Sequence, residues 1–220
     1  MGTSGRLTLS IAVLALLWVP SGADAQNASA LVLEKTGATV PEVQPYSEIA
    51  VGATVSLQPG ARLVFLHYQT CRTVTAVGGT VVFGGLNYTI TGGSKPEEVR
   101  SPCPPMVRLR GQGEMAGVVM RTISPEVRLS IWPTFALVGA RADDFAAVRV
   151  SQGGTALLES PLTGRGFRWP AGAAPLVANT DYELVLVPKA GGKTQVTLKF
   201  RTERGTSTAA GDHLTLISVD

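Results

Sequence analysis

Histidine, cysteine and charge are all scarce in this 220-residue chain, which has two histidines, two cysteines and 16% charged residues. His67 and His213 stand far apart, and no His-rich spacing offers a zinc or other transition-metal site. No Cys-x-x-Cys pair opens a helix, which excludes the familiar dithiol redox motif. Gly-x-Ser-x-Gly and Ser-x-x-Lys are both missing, so the common serine-nucleophile contexts are absent too. The net charge of +3 is small. Its densest basic stretch, Arg100–Arg110, sits among prolines and apolar residues rather than interleaved aromatics. That argues against nucleic acid as a partner. Low charge combined with 45% hydrophobic residues also excludes a disordered chain. Long amphipathic helical patterns are lacking throughout.

What is present begins with an N-terminal segment in three parts. Arg6 supplies a positive charge, Leu7–Val19 is uncharged and mostly apolar, and Ala23-Asp24-Ala25 places small residues at a cleavage site. This order predicts a secretory signal peptide over residues 1–25, with a mature chain starting at Gln26. The apolar run falls short of the roughly 20 residues that span a bilayer, and Pro20, Ser21 and Gly22 break any helix before the cut. No Cys follows the cut to carry a lipid. The expectation is a periplasmic or secreted protein with no membrane span after cleavage. In such an oxidising setting Cys71 and Cys103 are the only candidates for each other, and a structural disulfide is expected.

Strand signals then repeat from Ala30 to Phe200. Apolar residues alternate over Ile49–Leu57, which is strand period, and Pro59-Gly60 reads as a turn. Arg62–Thr70 is apolar on both faces, as in a buried strand. Thr73–Val77, Thr80–Phe83 and Leu86–Ile90 follow as short strands separated by Gly78-Gly79 and Gly84-Gly85. Lys95–Pro105 holds four prolines and cannot continue a central strand, so the disulfide would pin an irregular connection. Met106–Thr122 reads as further strands or a linker. In the second half, Arg128–Ile131, Ala146–Ser151, Ala156–Glu159 and Gly166–Trp169 are strand candidates. Tyr182–Val187 and Thr194–Arg201 form a hairpin with Leu184, Leu186, Val196, Leu198 and Phe200 facing the core. Thr202–Gly211 is mostly small and polar, and His213–Val219, with Leu214, Leu216 and Ser218 on one face and Thr215, Ile217 and Val219 on the other, is either a last strand or a loose end. The fold class predicted is all-β, with two β-sandwich or barrel-like modules over residues 26–122 and 123–220.

The cadence Ile49-Ala50-Val51-Gly52, Val55-Ser56-Leu57 and Gly60-Ala61-Arg62-Leu63-Val64-Phe65 resembles a FecR-type periplasmic β-domain over about residues 32–92. No cytoplasmic segment precedes a membrane helix, so the resemblance extends to the exported module alone and implies no control of a sigma factor. Trp132-Pro133, the Ala147–Val150 strand and Leu176 followed by Tyr182 resemble a fibronectin type III or immunoglobulin-like sandwich over about residues 125–202. That resemblance implies a Tyr182 hydroxyl bonded back to the upstream backbone, and a spacer or interaction role.

Candidates for chemistry are few. His67, within a buried-looking strand, reads as a hydrogen-bonded core histidine. Gly191-Gly192-Lys193-Thr194 resembles the end of a phosphate loop, but Val187 stands where a glycine is needed and a strand pattern follows, so a hairpin turn is expected. Asp143-Asp144 and Glu97-Glu98 read as solvated turns, with too few oxygens for calcium. Asn27-Ala28-Ser29 and Asn87-Tyr88-Thr89 match the glycosylation sequon. Trp132 and Trp169 are the candidate ligand platform for a carbohydrate, although core packing competes for both rings. No catalytic residue, metal ligand or cofactor is expected. The reading that results is a non-catalytic protein-interaction or adaptor module of the bacterial envelope, bound to an envelope protein partner. A carbohydrate or cell-wall binder is the alternative.

Overall fold

The computed structural model describes residues 28–109, 127–192, 195–204 and 213–219. The expected signal peptide lies outside the described residues, as does most of the small, polar stretch before His213. Apart from one 3-10 turn at Ala142–Asp144, every regular element described is a strand. The fold is all-β, as the alternation and turn signals require.

The first half comprises β1 (Ala28–Thr36), β2 (Thr39–Val40), β3 (Glu48–Ala50), β4 (Thr54–His67), β5 (Arg72–Phe83), β6 (Tyr88–Thr91) and β7 (Glu97–Arg100). They form one antiparallel sheet in the order β3-β1-β4-β5-β6, with β2 on β4 and β7 on β5. Pro59-Gly60 is not the turn expected from its sequence. It lies inside the continuous β4, where Leu57 pairs with Gly79 but Arg62 already pairs with Val77. The extra residues make a bulge that bends the strand, and a bulge accommodates a proline that a regular ladder would reject. Gly78-Gly79 likewise lies within β5 rather than between two strands. Across it the inward positions change from Val74 and Ala76 to Val81 and Phe83. Gly79 has φ +80°, and a Cβ there would stand 2.5 Å from the Thr91 carbonyl oxygen, so only glycine fits. The two bends curl the sheet into a half-barrel around Val32, Val55, Leu57, Leu63, Phe65, Val74, Val81 and Phe83.

After β8 (Met106–Leu109) come β9 (Arg128–Ser130), β10 (Thr134–Val138), β11 (Phe145–Gln152), β12 (Thr155–Pro161), β13 (Gly166–Arg168), β14 (Asp181–Pro188), β15 (Val196–Glu203) and β16 (Leu214–Val219). They make two sheets, ordered β13-β10-β16-β8 and β12-β11-β14-β15-β9. Phe135, Leu137, Phe167 and Ile217 from the first pack on Val148, Val150, Leu184, Leu186 and Phe200 from the second. His213–Val219 therefore contributes a central strand, not a loose end, parallel to both β10 and β8. Residues 106–109 were expected in the first module; their pairing with β16 carries them into the sheet of the second.

The sheet β13-β10-β16-β8 is apolar on both faces because it is the middle of three layers. Its second face, with Ala136, Val138 and Leu216, packs against Leu31 and Tyr46 of the half-barrel. Glu48 ties the layers together: its Oε1 accepts a 3.1 Å hydrogen bond from the Tyr68 hydroxyl, and its Oε2 one of 3.3 Å from the Gly139 N–H. Burial and the neighbouring Glu48 charge push the Tyr68 phenol far above its usual range.

Candidate functional site: the groove between half-barrel and sandwich

Cys71 and Cys103 are at disulfide distance, with Cα atoms 5.0 Å apart. Cys71 lies in the β4–β5 turn and Cys103 just beyond β7, so the bridge clamps the proline-rich connection to the half-barrel. Two hydrogen bonds reinforce it: Ser101 N–H to the Cys71 carbonyl at 2.9 Å, and Thr73 Oγ1 with Ser101 Oγ at 2.8 Å. The pairing fits an oxidising compartment.

The tryptophans do not form the platform considered from sequence. Trp169 is only 4% exposed within the sandwich core, and its indole N–H donates to the Ala174 carbonyl at 3.1 Å. Trp132 is half-buried against the same core. Stacking a sugar needs an exposed ring face, and burial removes it from Trp169. His67 is fully buried, with Nδ1 3.0 Å from Thr70 Oγ1 and its ring edge-on to Tyr88. Its Nε2 has no hydrogen-bond partner among the described residues. Asp143 and Asp144 are drawn apart by separate arginines: Asp143 bonds Arg165 at 2.8 Å and Asp144 bonds Arg141 at 3.1 Å. Glu98 bonds Arg72, and the same surface cluster holds Tyr88, whose phenol burial and Glu98 push up to about 12. No group of three His, Cys, Asp or Glu side chains gathers to hold a metal among the described residues. No helix among them is long and apolar enough to cross a membrane.

The feature that sequence reasoning missed is a groove of about 510 Å³ between the two halves, within the size range of ligand sites. Its floor is the outer face of the half-barrel, with Val64 and Leu66 from β4 and Thr73 and Thr75 from β5. This follows from strand period, because Leu63 and Phe65 point inward and their neighbours must point out. One wall is the disulfide-clamped stretch Ser101–Pro105. The other is the end of the middle sheet, where Thr134, Arg168 and Leu214 face the groove. Arg62 and Arg128 on its rim are paired with Glu34 at 3.0 Å and Glu203 at 4.0 Å. The doubly apolar pattern of Arg62–Thr70 was the signal in the sequence that a second buried face would meet this strand.

The sheet edges are poorly suited to strand addition. β3, β6, β7, β8, β9 and β13 are three or four residues long. The longer edge β12 has a register shift opposite Val150/Ser151 and ends in Pro161. Short strands, bulges and proline all blunt an edge against pairing.

No family model matches the chain, and neither a curated protein nor a solved structure is similar to it at a significant level.

Proposed function

We propose that this chain is an exported, non-catalytic adaptor of the bacterial envelope whose groove receives an extended segment of an envelope protein partner. The observation that carries the reading is the groove itself, built from both halves and walled by a disulfide-clamped connection. Its floor, which sets Val64 and Leu66 beside the hydroxyls of Thr73 and Thr75, suits a peptide, which presents side chains and backbone polar groups together. The blunted edges favour side-chain docking over strand addition. The signal peptide over residues 1–25 and the Cys71–Cys103 pair support a periplasmic or secreted location. The resemblance of the two halves to FecR-type and fibronectin type III modules supports an interaction role.

The test is site-specific photo-crosslinking in the cells that make the protein. A benzophenone side chain replaces Thr75 on the groove floor or, as the control, Leu86, which is 75% exposed outside the groove. A discrete adduct from position 75 and not from position 86 is the expected result. Equal labelling from both, or none from position 75, overturns the reading.

A further inference from the structure

We propose that Arg168 and Thr134 form a carboxylate-receiving subsite in this groove, which takes the acidic side chain or the chain terminus of the bound segment. The proposal rests on the peptide-binding role argued above. Thr134 on β10 lies directly opposite Arg168 on β13 and opposite Leu214 on β16. Cross-strand partners share a face, so the three side chains form one row on the side that meets the half-barrel.

Thr134 is 4% exposed and its Oγ1 has no hydrogen-bond partner. Buried hydroxyls are normally satisfied, and because Thr134 lines the groove its unpartnered hydroxyl is placed to meet an acceptor supplied from there. Arg168 supplies the charge. Arg62 and Arg128 are engaged by Glu34 and Glu203, whereas Arg168 forms no ion pair among the described residues. A guanidinium presents two parallel donors that match the two oxygens of a carboxylate. One guanidinium and one hydroxyl suit a monoanion. A phosphate dianion would require more positive charge than a groove that also carries Glu34 and Glu203 provides. Leu214 in the row, with Leu33 and Val64 across the groove, gives an apolar neighbour somewhere to pack.

Three probes titrated into the isotope-labelled mature chain, followed by NMR, decide it: N-acetyl-leucine, its amide, and acetyl-Leu-Asp-amide. Saturable shifts at the Thr134, Arg168 and Leu214 amides are expected with at least one of the acids and not with N-acetyl-leucinamide. Binding of N-acetyl-leucine would identify a chain terminus, and of acetyl-Leu-Asp-amide an acidic side chain. Arg168→Gln should weaken binding about tenfold or more. Thr134→Val keeps the side-chain shape, removes only an unpartnered hydroxyl and should weaken it several-fold without unfolding the chain. No shift with either acid, equal binding of the amide, or unchanged binding by Arg168→Gln overturns the subsite. If the position-75 adduct also survives Arg168→Gln, the groove still docks a partner and only the carboxylate is lost. Loss of the adduct in the parent chain marks failure of the adaptor reading itself.

Discussion

The ring of Tyr46 lies on the backbone of Gly166, so close that a Cβ at residue 166 would stand 2.0 Å from Tyr46 Cδ2. Tyr46 belongs to the half-barrel and Gly166 to the sandwich, and their contact seats one on the other beside Leu31, Ala136 and Val138. Gly166 does not have a positive φ, so the glycine answers to the ring and not to its own backbone. Gly166→Ala should cost about 1–3 kcal/mol by overpacking. In a Tyr46→Ala background the same substitution should cost much less. Urea unfolding of the four chains of this cycle measures the coupling; additive costs would mean that the ring accommodates the methyl elsewhere.

The Cys71–Cys103 bridge closes a loop of sequence separation 32. Its loss through Cys71→Ser/Cys103→Ser should lower stability by about 3–4 kcal/mol in the chain-entropy account. Thermal unfolding with and without reductant reads this directly. Because the bridge also holds the Ser101–Pro105 wall, reduction should weaken the position-75 crosslink at temperatures where the fold persists.

At the corner before β14, the Val177 N–H donates to the Tyr182 hydroxyl at 3.0 Å. Thr202 completes the corner: its hydroxyl donates to the Val177 carbonyl and accepts from the Thr180 N–H. These bonds hold Asn179 at φ +56°. Tyr182→Phe should cost about 1 kcal/mol, the ordinary net worth of one hydrogen bond. Thr202→Val should cost more, about 1–3 kcal/mol, since Thr202 is buried and leaves polar groups unpaired. Chemical denaturation that finds the reverse order would assign the corner to Tyr182 instead.

Acid should release one surface tie between the 3-10 turn and the loop before β13. The hydrogen bond from Arg165 holds the Asp143 carboxyl below its usual value. A depressed folded pKa adds stability that is present above the unfolded value, about 3.9, and is lost as pH falls through the folded one. The carboxylate is mostly exposed, so screening keeps the contribution under about 1 kcal/mol. Asp143→Asn should therefore lower stability slightly at pH 7 and leave it unchanged at pH 2. Equal effects at both values would place the role of Asp143 in packing rather than charge.

The all-β class was legible in the sequence because period-2 alternation and glycine and proline punctuation are local signals. The hairpin of β14 and β15 and its inward Leu184, Leu186, Leu198 and Phe200 could be read for the same reason, as could the cysteine pair, which had no competitors. Whether Pro59-Gly60 would turn or bulge was not legible. The same dipeptide serves both, and the choice shows only in the pairing of Leu57 with Gly79 and of Arg62 with Val77 on the partner strand. The burial of Trp169 and the central place of β16 were likewise settled by packing. Local sequence therefore determined that this chain forms strands and where most of them lie. The tertiary structure alone decided that Thr134, Arg168, Ser101 and Thr75 surround one groove, because residues distant along the chain meet only when sheets stack, and stacking is governed by the faces they bury together.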